Sequence, residues 1–286
     1  DFCGENIGFI SPCGVVAPEY FDDKGLGFLK SFTAGFMTTC GLKVAGVPCE
    51  YEGTSYGLHG NLSHTPAENV SYVIDESGAT PCAVIRGTVR DAIIFGDKMS
   101  LNREIRCYYK DRKITVRDNV KNEGFKKVRQ MILYHCNIGY PILTPDSEVY
   151  IPALETKARN EHAQEGIADW MHPEVADPDY EEMCYYHKLK PDENNHSKVA
   201  IFNPELDLGI AIEIDLSTLD HLVQWKMMGA GDYVMGLEPA NSTIDGIEDA
   251  VNNGSMKYLE PGEVKEYNLT FQILKGREEF EAVKNL

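Results

Sequence analysis

From about position 82 onward, apolar and polar side chains alternate in short runs separated by polar turns. In residues 83–90, Ile85 and Val89 fall on one face and Arg86 and Arg90 on the other, the period of two expected of a β-strand. Residues 101–109 set Leu101, Arg103, Ile105, Cys107 and Tyr109 against Asn102, Glu104, Arg106 and Tyr108. A charged turn, Lys110-Asp111-Arg112, leads into a third run at 113–120. The cluster Asn122-Glu123-Gly124 then leads into a fourth at 128–138. Four strands at this spacing predict an antiparallel meander. A second set is predicted at 198–202, 208–214, 222–228 and 233–237, with closing strands at 255–259 and 264–274 joined by Glu260-Pro261-Gly262-Glu263. Only 25–38 and 277–286 read as helical. The acidic stretch 155–182, with Trp170, His172, Pro173 and Pro178, reads as a long excursion, and such loops often carry function. No repeat, low-complexity tract or Pro/Gly linker divides the chain, so one antiparallel β-sandwich domain over 1–286 is expected.

Composition narrows the function classes. The 286 residues are 43% hydrophobic and 25% charged, enough for a packed core. A net charge of −18 opposes binding to phosphate backbones, which sets nucleic acid aside, and suits a soluble cytoplasmic protein. No apolar run approaches the ~18 residues that span a bilayer, and the N-terminus has no signal-peptide pattern. The first residue is Asp, not Met, which leaves room for an opening strand before it. The eight cysteines include no CxxC pair, and several stand in apolar company, as in Pro81-Cys82-Ala83-Val84. Reduced, buried thiols are expected rather than a disulfide framework or a zinc site.

Three segments put a polar side chain where packing alone does not ask for one. In Gly57-Leu58-His59-Gly60 a histidine is flanked by glycines, which would let a ligand approach its ring. In Tyr134-His135-Cys136-Asn137 an imidazole sits at the end of the strongest strand of the first half, a rigid mount for proton transfer. In Gly236-Leu237-Glu238-Pro239 a carboxylate follows an apolar strand that Pro239 is expected to end. Partial desolvation there would raise its pKa toward that of a general base. Each alone is equally consistent with a turn histidine, a core histidine bonded to a carbonyl, and a carboxylate capping a turn. Gln224-Trp225-Lys226 offers a ligand platform, an indole face beside an ammonium, and Tyr185-Tyr186-His187 is a weaker candidate.

The same segments resemble the aldose 1-epimerases of the galactose mutarotase-like superfamily. Leu58-His59-Gly60 is similar to their Leu-His-Gly segment, His135 with Asn137 to the second histidine, and Glu238 in Gly-Leu-Glu-Pro to the late glutamate. Thr38-Thr39-Cys40-Gly41-Leu42, Thr65-Pro66-Ala67-Glu68-Asn69-Val70 and residues 133–143 resemble more closely a bacterial branch long carried as a domain of unknown function. The likeness runs from about 14 to 274. It implies the mutarotase-like supersandwich and, by carry-over, Glu238 as base at the anomeric hydroxyl, His135 as acid at the ring oxygen, and His59 as a substrate-binding residue, with no cofactor. True mutarotases carry an arginine shortly before Leu-His-Gly, and residues 42–58 contain none. Arg103, on a strand face with Leu101, Ile105 and Cys107, is the candidate substitute. The branch's arginine after Gly60 is here Asn61, with His64 three residues on, and no residue maps onto the family's sugar-binding aspartate.

The expected activity is interconversion of sugar anomers by acid–base ring opening, with Glu238 and His135 catalytic and His59, Arg103, Trp225, Lys226 and His187 binding substrate. The same Glu/His pair could instead serve an isomerase or lyase on a keto-sugar, with His59, His64 and Glu68 as conceivable metal ligands. A non-catalytic sugar-binding module is the third class. The expected partner is a small sugar, with a homodimer as a candidate assembly and no metal in the leading reading.

Overall fold

The computed structural model describes residues 1–285. Two antiparallel sheets face one another. The eight-stranded sheet runs, edge to edge, Glu148–Tyr150, His196–Asn203, Leu208–Asp215, Val264–Lys275, Lys113–Asn122, Lys98–Tyr108, Cys82–Ala92 and Glu68–Asp75. The seven-stranded sheet runs Ala153–Ala158, Met183–Leu189, His221–Met228, Tyr233–Ala240, Val128–Gly139 and Lys257–Leu259, with Met37–Leu42 also laddered onto Val128–Gly139. The chain is therefore a mostly β antiparallel sandwich, as its periodicity predicts.

Alternation decides which side chain meets what. Along Val128–Gly139, Ile132, Tyr134, Cys136 and Ile138 point between the sheets and join Leu237, Ile210, Ile212, Val116 and Val120 in the main core. Met131 and Leu133 point to the other face, where Val223, Ala240, Ile244, Ile247 and Ala250 form a second apolar cluster. This strand is covered on both faces, which is why its sequence reads as an almost unbroken apolar run. Arg277–Lys284 is helical as expected, and packs Phe280 against Phe202.

Three expectations are corrected. Residues 25–38 hold one 3₁₀ turn, Gly27–Lys30, before the chain straightens into Ala34–Gly35 and Met37–Leu42. Pairing of Met37–Leu42 with Met131–Cys136 outweighs local helical preference. The strand expected to stop at Leu237 continues through Glu238 and Pro239 to Ala240. Pro239 is tolerated because the ladder to Val128–Gly139 skips its step: Cys136 pairs Leu237 and Leu133 pairs Ala240, in unchanged register. Finally, the excursion 155–182 opens with the strand Ala153–Ala158 and the helix Glu161–Glu165, capped by the Asn160 side chain.

All eight cysteines are free; Cys40, Cys82, Cys136 and Cys184 are buried, whereas Cys3 and Cys107 are exposed. Among the described residues, no helix is long and apolar enough to cross a membrane.

Candidate functional site

The outer face of the seven-stranded sheet forms the floor of a cavity of about 280 Å³. The register on either side of the skipped step places His135 opposite Glu238, both pointing outward. Their contact follows from that register: His135 Nε2 lies 3.2 Å from Glu238 Oε1. Trp225 and Cys184, from the next two strands, share this face. Gly236, two residues before Glu238, also points outward, and its lack of a side chain is required. A Cβ built there would stand 2.3 Å from Glu238 Oε1 and 3.1 Å from the Trp225 Cβ. The carboxyl group folds back into the space that glycine leaves.

His59 enters from a loop. Its backbone takes a left-handed φ of 61°, and its amide donates to Gly46 O at 2.8 Å. The Gly46 N–H in turn donates to His59 Nδ1 at 3.2 Å. Nδ1 therefore accepts, so the neutral ring carries its proton on Nε2. The following Gly60 is needed for packing rather than for ligand access: at φ 69°, a Cβ would meet Gly41 O at 2.7 Å and Val44 O at 2.8 Å. The His59 and His135 rings are edge to face, 5.4 Å apart. Phe28 packs on His59 at 5.0 Å and Phe32 on His135 at 5.1 Å, closing an aromatic wall over both.

Burial sets the proton affinities. Glu238 is 2% exposed, and its Oε1 makes no well-aligned hydrogen bond. Burial, reinforced by the charge of Glu182, raises its pKa well above the ordinary carboxylate value. Burial lowers His135 to about 4, and its Nδ1 has no partner. Burial, then His135 and Arg159, push His59 well below the ordinary imidazole value. Burial thus shifts the two groups in opposite directions, Glu238 toward its protonated form and His135 toward its neutral one. Such pairs mark acid–base sites.

Two further charged residues line the cavity, and sequence reasoning missed both. Arg159 Nε donates to Asp245 at 2.7 Å, and Asp245 also accepts from the Tyr186 hydroxyl at 2.6 Å. Glu182 accepts from Trp225 Nε1 at 2.6 Å. Arg159 and Glu182 lie near the two ends of the 155–182 excursion. Their sequence spacing carried no signal, because the excursion returns to the same cavity only in three dimensions.

Three expected binding residues are not brought to this cavity. Lys226 neighbours Trp225 in sequence, so strand alternation turns it to the opposite face. There it is fully buried, donating to Glu174 at 2.8 Å and to the Asp169 carbonyl at 2.9 Å, and it tethers the excursion. His187 shares that face, bonded to Thr156 and Gln224 at 3.0 Å each and packed on Trp170; burial lowers its pKa to about 4. Arg103 stands on the other sheet and pairs bidentately with the wholly buried Asp118, at 2.8 and 2.6 Å, and with Thr39 Oγ1 at 2.7 Å. Its awkward place among apolar neighbours is explained by that ion pair. His59, His64 and Glu68 do not converge: His64 bonds the Ser31 carbonyl, and Glu68 pairs with Arg90.

Similar proteins carry this architecture. A proposed aldose 1-epimerase from Klebsiella pneumoniae is 27% identical and superposes with a TM-score of 0.94, over 99% of this chain and 74% of that one. A galactose mutarotase-like protein from Clostridium acetobutylicum, 13% identical, gives 0.61 over 85% and 80%. A GalM/aldose epimerase homologue from C. elegans, 10% identical, gives 0.55 over 96% and 93%. Among proteins of curated function, none matches the sequence. Residues 1–273 match the family described as Domain of unknown function (DUF4432), and the chain belongs to that family, within the aldose 1-epimerase or galactose mutarotase-like superfamily.

Proposed function

We propose that the protein interconverts the anomers of a sugar by acid–base ring opening. The observation that carries this reading is the buried Glu238–His135 contact at 3.2 Å, with its two opposite pKa shifts, on the floor of a monosaccharide-sized cavity. The likeness to the Klebsiella protein supports the same class. In the reactive tautomer Glu238 is a carboxylate and His135 an imidazolium. Glu238 takes the proton of the anomeric hydroxyl while His135 protonates the ring oxygen. The C1–O5 bond breaks, the aldehyde turns about C1–C2, and reclosure reverses both transfers to give the other anomer. No proton is gained or lost overall. His59 contributes an Nε2–H donor to a sugar oxygen, and Trp225 an apolar face for sugar C–H groups.

A well-placed acid or base contributes ~10²–10⁴-fold. Exchange spectroscopy on reducing sugars is therefore expected to show accelerated anomer exchange that drops by about that factor in Glu238→Gln and in His135→Asn. Exchange at the buffer rate for every sugar tested would refute the proposal.

A further inference from the structure

The cavity is two-sided. Its floor carries the polar groups His135, Glu238, His59, Glu182 and Arg159. The adjoining wall, contributed mainly by Leu26, Phe28, Leu29 and Phe32, is apolar, with Phe28 and Phe32 packed on the His59 and His135 rings. Phe28 and Phe32 are buried against each other, 4.9 Å apart, whereas Leu26 and Leu29 are 61% and 51% exposed. Those two leucines line the cavity without being needed by the core. Val47, Pro48 and Ile244 extend the apolar side.

A fully hydroxylated hexose presents hydroxyls around its whole edge. Any that face this wall would lose water and find no partner, at a cost of roughly tenfold to a hundredfold in binding for each. A methyl or methylene in the same place would instead gain by burial. Charge points the same way. The one guanidinium of the cavity is already engaged by Asp245, and Glu182 adds a negative charge, so the site does not favour an anionic sugar.

Resting on the epimerase reading above, we infer that the substrate is a neutral deoxy sugar, its deoxygenated edge against the Leu26–Phe32 wall and its hydroxylated edge on the histidines and carboxylates. The test compares kcat/KM for anomer exchange in matched pairs: L-fucose with L-galactose, D-fucose with D-galactose, L-rhamnose with L-mannose, and 2-deoxy-D-glucose with D-glucose. D-glucuronate and glucose 6-phosphate are the anionic probes. At least one deoxy sugar is expected to exceed its hydroxylated parent tenfold or more, with both anions slower still. Equal rates within every pair, or a faster anion, overturn the inference and leave the epimerase reading standing. No acceleration for any sugar overturns both. In the doubly substituted Leu26→Asn/Leu29→Asn protein, whose changes lie at exposed positions, the deoxy preference is expected to shrink at least threefold. An unchanged preference would also overturn the assignment to this wall.

Discussion

One methyl group at Gly236 tests the site geometry most directly. A Cβ there would lie 2.3 Å from Glu238 Oε1 and 3.2 Å from its Cδ, whereas ordinary non-bonded contacts begin at roughly 3.5 Å. In Gly236→Ala the carboxyl must retreat by about 1 Å. The atom in the way is the free end of a side chain, so relief comes from a shifted rotamer costing about 0.5–1.5 kcal/mol. The Trp225 Cβ at 3.1 Å adds some crowding, and the total stays within the ~1–3 kcal/mol typical of modest overpacking. A 1 Å misplacement of a reacting group, by contrast, costs about 10²-fold in rate. The expected result is a kcat/KM for anomer exchange lowered about a hundredfold, in a protein that melts only a few degrees early. Gly78→Ala, whose Cβ would meet nothing closer than 3.8 Å, serves as the neutral control. If the loss acts through Glu238, Gly236→Ala made in a Glu238→Gln background should cost almost nothing further. Activity within threefold of the parent in the single variant, or full additivity in the double, would refute the reasoning.

Glu238 is buried with a raised pKa, so its folded form favours the proton. The stability it allows is full below the unfolded value near 4.5 and is lost as pH rises toward the folded one. Glu238→Gln should therefore raise the melting temperature at pH 8, by ~1–3 kcal/mol or a few degrees, and not at pH 4; a lower melting temperature at pH 8 would contradict this. His187 has the opposite sign: its pKa of about 4 lies below the unfolded value near 6.5, so its stability is full above pH 6.5 and is lost as pH falls toward 4. His187→Gln should lose stability less steeply across that window, by up to about 1.4 kcal/mol per pH unit in urea titrations, and parallel curves would rule the assignment out. Arg103→Ala strands the wholly buried Asp118 and should cost about 3–5 kcal/mol of unfolding free energy with kcat nearly unchanged; lost turnover without lost stability would return Arg103 to the sugar site.

The sandwich was legible because its strands read either as alternating or as short apolar runs between polar turns, and the ten expected strands all form, most of them slightly longer than their apolar cores. What escaped was of two kinds. Met37–Leu42 and Met183–Leu189 are strands by virtue of their neighbours, and nothing local distinguishes them from loop. Glu68–Asp75, an edge strand with Val70, Tyr72 and Ile74 on one face, does carry the alternation, but its residues are mostly exposed and polar at the start. At the site, resemblance located His59, His135 and Glu238. Reading Gln224-Trp225-Lys226 as one platform failed because consecutive strand residues cannot share a face. The same rule, applied in advance, would have separated Trp225 from Lys226. Arg159 and Glu182 could not have been found that way, since only the return of the excursion brings them to one wall.

Pro239 shows how a local misreading can still mark the right place. A proline was expected to end the strand, and the ladder to Val128–Gly139 does lack the two pairs Tyr134–Pro239 and His135–Glu238. Flanking pairs Cys136–Leu237 and Leu133–Ala240 hold the register, so the His135 and Glu238 side chains remain opposed across the gap. A continuous ladder would bury the same two side chains equally well. The interruption therefore does not create the contact between His135 and Glu238. Both strands stay laddered on their other edges at this step, Glu238 and Pro239 to Val223 and Leu222 and His135 to Thr38, so the two side chains are held from outside the gap.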